Sequence, residues 1–300
     1  MRSFSHGDYE GKYSPVALSH EPFPIIRKWV YLLVHRKRLL RPLLHGMVPE
    51  EHLLENTLKK IKQFSPFLLE GNGYFWHLFS NYLKRRGEEI SSVKAVETDE
   101  VSLSHVQRER ISQTFNCKVY DNYGSHELGV VAHGCSEGLG NHIFSLSHYV
   151  EFLQEDSEKE AEVGTVGRVV VTDLTNLVTP LIRYDTGDLA MRISKTCPCG
   201  RSYPLMSPVE GRRINTLYLD GKRYTEKFFQ EIIYAFEETI SFQVNRREEG
   251  NIEVLLLTEA SDLPQKVAKE LSMIIGQRIE VSLVKDIPLE SSGKVRWVKV

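Results

Sequence analysis

The spacing of apolar residues in the first half of the chain predicts helices that alternate with short strands. Helical spacing covers the segments 25–44, 50–63, 74–86 and 103–114. Short apolar runs typical of strands cover 67–69, 93–96 and 117–120. Turn signals such as Gly71-Asn72-Gly73 separate the two kinds of segment. This alternation predicts a layered α/β domain.

The pattern changes after residue 142, where apolar runs no longer follow the helical period. It predicts strands at 144–152, 167–174 and 189–193. Beyond Gly211, strands are expected at 215–219, 241–246, 252–258 and 279–284, and helices at 226–237 and 263–275. We therefore expect an α/β plus β large domain over 1–210, followed by a small α+β domain over 211–300.

Composition and charge narrow the class of protein. The chain has 300 residues, 41% hydrophobic and 26% charged, with a formal net charge of −2, which is typical of a globular protein and not of a nucleic-acid binder. The run Trp29–Val34 is too short to span a bilayer, and Met1–Lys12 lacks the apolar stretch of a secretory signal. We expect a cytoplasmic protein with no nucleic-acid partner and no membrane span.

The first candidate site is the segment Tyr123-Gly124-Ser125-His126-Glu127, directly after the predicted strand 117–120. Glycine allows backbone to approach a ligand closely, an aromatic ring can stack on a base, and a carboxylate can bind Mg²⁺. The alternative is a loop with a structural tyrosine and a surface glutamate.

A second candidate is the segment Arg183-Tyr184-Asp185-Thr186-Gly187-Asp188. A carboxylate after a tight glycine turn can accept two hydrogen bonds from vicinal hydroxyls, which is what a ribose offers. The alternative is an ordinary β-turn.

Two further motifs follow towards the C-terminus. Gly211-Arg212 is followed by Gly221, and the segment from Pro288 to Lys294 places a lysine after Gly293. A lysine on a glycine-flanked loop can bring its charge to negative charge that develops in a reaction and stabilise the transition state. The alternative for this lysine is a solvent-exposed surface position.

The cysteines form a separate constellation. Cys135 and His142 follow the Tyr123 segment, and Cys197 and Cys199 follow Asp188. Three thiolates and one imidazole complete a tetrahedral structural zinc site. His133 competes with His142 for the fourth position, and plain buried thiols are the alternative to a metal site.

The four motifs, in this order and at these distances, resemble the later motifs of the adenylate-forming enzymes, which activate carboxylic acids with ATP. The run from Leu174 to Tyr184 is similar to the phenylacetate–CoA ligase and capsular-polysaccharide branch. That branch also pairs a Cys…Gly-x-His segment with a Cys-x-Cys-Gly-Arg segment, which supports the zinc prediction.

The resemblance implies a nucleotide site built from four segments. Tyr123 would lie against adenine in the loop that contains Gly124 and Ser125. Asp188 would bind the ribose, and Arg212 would contact the nucleotide.

The resemblance also implies the catalytic groups. Glu127 would hold the Mg²⁺ that bridges the phosphates, and Lys294 would act at the carboxylate oxygen and α-phosphate. Two positions depart from the pattern. His126 stands where relatives carry a hydroxyl, and the hinge region 213–215 has no acidic residue.

Two hypotheses follow. In the first, ATP activates a small-molecule carboxylic acid to an acyl-adenylate, and coenzyme A then takes the acyl group. Residues 1–54 contain no Ser/Thr/Gly-rich loop for the triphosphate, so we expect a truncated ligase. A homodimer is a further expectation. In the second, the chain is a catalytically degenerate, zinc-stabilised nucleotide-binding or interaction protein of the same fold.

Overall fold

A computed structural model describes residues 39–40, 51–247, 250–287 and 296–300. Lys294 and its glycine therefore lie outside the described residues. The predicted helix 25–44 does so too, except for Leu39 and Leu40.

The first layer packs three helices on a parallel sheet. The helices are α1 (Glu51–Phe64), α2 (Gly73–Arg86) and α3 (His105–Phe115). The parallel strands are β1 (Leu39–Leu40), β2 (Leu68–Asn72), β3 (Ala95–Asp99) and β4 (Lys118–Ser125). Ser104 and Gln107 form a capping box at the start of α3, because each side chain accepts from the other's backbone N–H. Buried aromatic residues of α2 and α3 fill the core between the helices: Phe75, Trp76, Phe79 and Phe115.

The sheet continues beyond β4 with antiparallel strands. These are β5 (Gly129–Gly134), β6 (Asn141–Ile143), β7 (His148–Leu153), β8 (Val166–Asp173), β9 (Tyr184–Ile193), β10 (Leu205–Met206) and β11 (Gly211–Arg212). The strand order is β1-β2-β3-β4-β5-β6-β10-β9-β8-β7, and β11 pairs with β9. This order brings the end of β4 and the middle of β9 to the same region.

A separate set of elements follows β11. A 3₁₀ turn at Arg213–Asn215 leads to the hairpin β12 (Leu217–Leu219) and β13 (Lys222–Tyr224). The helices are α4 (Glu226–Ile233) and α5 (Leu263–Ile275). A four-stranded sheet has the order β16 (Ile279–Leu283), β15 (Ile252–Thr258), β14 (Thr239–Arg246) and β17 (Val298–Lys299). We call these residues the C-terminal unit.

The C-terminal unit packs against α2 of the first layer. Tyr74 and Leu78 of α2 belong to the same buried cluster as Tyr234, Phe242 and Trp297. The Tyr74 hydroxyl donates to the carbonyl oxygen of Ile240 at 2.9 Å. This shared core fixes the position of the C-terminal unit against α2.

The predicted order of α/β, then β, then α+β elements is confirmed. Three local predictions are wrong. Leu39 and Leu40 form a strand rather than a helix, because they pair with β2. Only 148–152 of the predicted strand 144–152 is strand, as part of β7, because residues 144–147 form the turn that follows β6. The helix predicted to reach residue 237 ends at Ile233. The division at residue 210 stays a prediction.

Among the residues that the structure describes, no helix is long and apolar enough to cross a membrane.

Candidate ligand cleft and metal centre

A cleft of about 400 Å³ opens between the ends of β3 and β4, the middle of β9, and the start of α4. Tyr123, Asp188 and Arg212 line it from three different strands. Glu226 and Arg296 of the C-terminal unit line the opposite side. The cleft therefore combines segments that are up to 225 residues apart, since its lining runs from Asn72 to Trp297.

Tyr123 and Asp188 are in direct contact. The Tyr123 hydroxyl donates to Oδ2 of Asp188 at 3.0 Å and lies 3.4 Å from Oγ1 of Thr186. Burial raises the pKa of Asp188 above its ordinary value, although the Tyr123 hydroxyl and the Arg212 charge oppose that rise. A carboxylate held in this way is oriented by its tyrosine partner and can accept further hydrogen bonds.

Strand geometry sets the position of Asp188. The predicted turn is instead part of β9, where Gly187 has a φ of +74° and the register with β8 shifts. Alternation along the strand directs Asp185 outwards to Arg168, at 2.7 Å, while Asp188 faces the cleft. The glycine turn interrupts the ladder as a bulge: Asp185 pairs with β8 before it, and Asp188 pairs with β11 after it.

Arg212 lies beside Asp188 because β11 pairs with β9 at these two residues. Its Nε is 3.7 Å from Oδ1 of Asp188, and its side chain is 56% exposed. This geometry leaves most of the guanidinium available to a ligand while its charge balances the carboxylate.

The Tyr123 segment is divided between a strand and a turn. Tyr123, Gly124 and Ser125 end β4, and residues 126–128 form the turn to β5. An added Cβ on Gly124 would lie 2.1 Å from the carbonyl oxygen of Gly129, so glycine is required by the neighbouring strand. Ser125 accepts from the backbone N–H of Leu128 at 3.2 Å and stabilises the turn.

The cleft lining includes some predicted residues and not others. His126 and Gly124 line it, whereas Ser125 and Glu127 do not. Glu127 is exposed on the turn beside His126. The roles predicted for Ser125 and Glu127 stay predictions.

Several polar residues of the site were not identified from the sequence. Asp121 is buried, lines the cleft and accepts from Asn141 Nδ2 at 2.8 Å. Glu226, Asn215 and Arg296 lie where the C-terminal unit meets the cleft. Their positions depend on contacts between distant segments, for which a single sequence gives no signal.

The structure brings Cys135, His142, Cys197 and Cys199 together. Their ligand atoms all lie within 4.8 Å of one another. The Sγ atoms of Cys135 and Cys197 are 3.5 Å apart, and Sγ of Cys199 is 3.3 Å from Nε2 of His142. Tetrahedral zinc with ordinary bond lengths places two thiolates about 3.8 Å apart, which is close to this arrangement.

The two candidate histidines have different neighbours. His142 belongs to the cluster. His133 instead has its Nε2 3.3 Å from Oε1 of the buried Glu97 and its Nδ1 2.6 Å from the carbonyl oxygen of Gly134. Nearby acidic groups raise the pKa of His133 in spite of its burial. His133 therefore serves as the partner of Glu97.

Comparison with known proteins gives two curated relatives, and no protein-family model matches the chain. The chain is 25% identical over 280 residues to the phenylacetate-coenzyme A ligase of Thermus thermophilus, and the alignment covers 82% of this chain and 63% of that protein. It is 24% identical over 197 residues to the protein CapK of Staphylococcus aureus, covering 61% of this chain and 39% of that protein. The chain thus spans less than two thirds of the length of either relative.

Solved structures show the same fold. A 2-hydroxyisobutyryl-CoA ligase in its postadenylation state, with a bound acyl-AMP, superposes with a TM-score of 0.74 at 15% identity, covering 95% of this chain and 65% of that one. The same ligase in its thioesterification state, with an acyl-AMP and CoA, gives 0.55 at 15% identity, with 96% and 65% covered. The described architecture is that of adenylate-forming enzymes.

Proposed function

We propose that this chain, a member of the adenylate-forming superfamily, holds the adenosine part of an acyl-adenylate in the cleft between β4, β9 and β11. The reaction we propose is activation of a small carboxylic acid by ATP, with coenzyme A as the acyl acceptor. The observation that carries the proposal is the contact between Tyr123 and Asp188 beside Arg212, from three strands, in one cleft.

The chemistry of this trio suits a nucleoside. Asp188 offers a half-buried carboxylate to vicinal hydroxyls, and such charge-assisted hydrogen bonds are stronger than neutral ones. Tyr123 fixes that carboxylate and presents an aromatic ring for a base. Arg212 adds a cation for the phosphate end of the ligand.

The remaining catalytic roles extend the proposal. Glu127 would hold Mg²⁺ from the turn beside the cleft, and Lys294 would bring positive charge to the forming adenylate. The better superposition on the postadenylation state supports adenylate formation as the step that this arrangement of the C-terminal unit serves. A homodimer remains a prediction.

We further propose that the cysteine and histidine cluster holds a structural zinc ion. Cys135, His142, Cys197 and Cys199 provide a closed set of four ligands with no position left for a substrate. Such an ion would tie β5 and β6 to the segment after β9. We also propose a reducing cytoplasm as the compartment, because three of the four cysteines are arranged to hold a metal ion rather than to form disulfides.

Metal analysis of protein purified without chelator tests the zinc proposal, with about one zinc per chain expected. Cys199→Ser removes one ligand and should lower the zinc content and the unfolding temperature, whereas Cys117→Ser, outside the cluster, should retain the metal. Zinc below a tenth of the protein concentration in the unsubstituted chain would exclude the site.

Calorimetric titration with AMP tests the nucleotide site. Asp188→Asn keeps the shape of the side chain and removes its charge, so we expect AMP affinity to fall about tenfold or more. Asp262→Asn makes the same chemical change on an exposed residue at the start of α5 and should leave the affinity unchanged. Equal affinities for the two variants would contradict the ribose role of Asp188.

The second candidate, a non-catalytic nucleotide-binding protein, is favoured by one observation. His126 lines the cleft, whereas Glu127 does not. An ATP–pyrophosphate exchange assay over a panel of carboxylic acids, with Lys294→Ala as the control, separates the two. Exchange that depends on Lys294 supports the ligase, while AMP binding without exchange supports the second candidate.

A further inference from the structure

Glu226 occupies the junction between the cleft and the C-terminal unit. It is the first residue of α4, and its Oε1 accepts from Nδ2 of Asn215 at 2.9 Å. The backbone N–H of Arg212 also favours the ionised form of this carboxyl and so lowers its pKa. One side chain therefore contacts both the arginine strand and the turn that follows it.

The backbone around Glu226 is packed against the same strand. An added Cβ on Gly211 would lie 3.2 Å from the Cβ and backbone nitrogen of Glu226, which leaves little room for a side chain there. The backbone N–H of Lys227 donates to the carbonyl oxygen of Glu210 at 3.1 Å, and its Nζ is 3.0 Å from the Glu210 carboxylate. These contacts hold the start of α4 against β11.

Asn215 extends this contact to the end of the chain. Its Oδ1 accepts from Nε of Arg296 at 2.8 Å, while its Nδ2 donates to Glu226. A second nitrogen of Arg296 lies 3.4 Å from the carbonyl oxygen of Ile214. Arg296 is two residues beyond Lys294 in the sequence.

We propose that Glu226 is a positioning residue of the nucleotide site, whose carboxyl joins Arg212 and, through Asn215, Arg296 into one unit at the mouth of the cleft. In this role it supplies from α4 the carboxyl that the hinge region 213–215 lacks. The proposal rests on the proposed function only for the role of Arg212 as a nucleotide ligand.

The electrostatic surroundings of Glu226 make its protonation part of this role. Arg212 faces it from β11 and Asp188 from β9, and Arg296 reaches it through Asn215, while Lys227 is paired with Glu210. Burial outweighs the hydrogen bonds and the Arg212 charge, and it raises the pKa of Glu226 from 4.5 to about 7. In the closed junction the neutral form of the Glu226 carboxyl is therefore favoured.

This preference predicts how the junction responds to pH. Opening transfers the carboxyl to water, where it ionises at its ordinary pKa, so ionisation favours the open junction as the pH rises from about 4.5 to 7. Between pH 6 and pH 8 the opening equilibrium should rise about tenfold. A carboxyl that stays in water in the closed junction would give no such dependence.

Hydrogen exchange of the peptide 211–216 in the full chain measures this opening, after correction for the intrinsic effect of pH. The unsubstituted protein and Glu270→Gln, a control on α5, should show the tenfold rise. Glu226→Gln imitates the neutral carboxyl and should show none. The proposal is overturned if Glu226→Gln keeps the same pH dependence, or if the unsubstituted protein shows none. The measurement on the unsubstituted protein tests the proposal even if the variant does not fold.

A second variant tests the connection to Arg296. Asn215→Ala should raise exchange in the peptide 296–300 about fivefold, because one hydrogen bond to Arg296 is lost. It should leave the pH dependence of exchange in the peptide 211–216 unchanged. No change at 296–300 would refute that connection.

AMP titration of Glu226→Ala should show weaker binding than the unsubstituted chain. Absence of AMP binding in the unsubstituted chain would instead count against the proposed function, while the exchange data still decide the role of Glu226.

Discussion

Replacing Gly124 by alanine tests whether the hairpin of β4 and β5 sets the position of Tyr123. The new Cβ would lie 2.1 Å from the carbonyl oxygen of Gly129 and 3.0 Å from Cα of Val130. Cβ atoms in real structures essentially never come closer than 3.0 Å to such an atom, so the strands must separate by about 0.9 Å, which is 3.0 minus 2.1. Both contacts are with backbone, so no side-chain rotation relieves them.

The matched control is Gly129→Ala, one strand away. Gly129 has a φ of +66° and nothing within 4 Å of an added Cβ, so its substitution carries only the left-handed backbone penalty of about 1 kcal/mol. Overpacking at Gly124 should cost about 3 kcal/mol, at the upper end of its usual range, because backbone must move. It should also weaken AMP binding, because Tyr123 is displaced from Asp188.

Urea unfolding followed by circular dichroism gives the free energy of unfolding of both variants, and calorimetry gives their AMP affinities. The reasoning predicts a larger loss of stability for Gly124→Ala than for Gly129→Ala, and a loss of affinity only for the former. A Gly124→Ala variant that is as stable as Gly129→Ala and binds AMP normally would refute it.

Two further substitutions test the contact between α2 and the C-terminal unit. Tyr74→Phe removes the hydrogen bond to the Ile240 carbonyl oxygen and should lower the free energy of unfolding by about 1 kcal/mol, whereas an unchanged value in urea unfolding would show that this bond contributes nothing. His77 is fully buried near the Arg110 charge, and burial lowers its pKa to about 3. Its neutral form is favoured in the folded state, so stability is present above the unfolded pKa of 6.5 and is lost as the pH falls. His77→Leu should therefore remove about 2 kcal/mol of the stability difference between pH 7 and pH 5, and an equal difference in both proteins would contradict this.

Local sequence patterns predict the helices and the longer strands well. The helix predicted at 263–275 coincides with α5, because its apolar spacing and the glycine that ends it are local signals. The strand predicted at 252–258 coincides with β15 for the same kind of reason. The sequence also points to Tyr123, Asp188 and Arg212, through the resemblance of their segments to the motifs of adenylate-forming enzymes.

Elements that depend on distant pairing were not predictable. Strands β5, β6 and β10 have six residues or fewer, and each exists because a neighbour accepts its hydrogen bonds. Leu39 and Leu40 follow a helical pattern but pair with β2. Glu226 looks like an ordinary first-turn acid of a helix, and only the fold places it against Arg212.

The most direct test of the central claim is a crystal structure of the protein with AMP bound. The account predicts that the ribose hydroxyls lie within hydrogen-bond distance of the Asp188 carboxylate, with the adenine against the ring of Tyr123 and Arg212 turned towards the phosphate. AMP bound elsewhere, with Asp188 still contacting only Tyr123, Thr186 and Arg212, would contradict it.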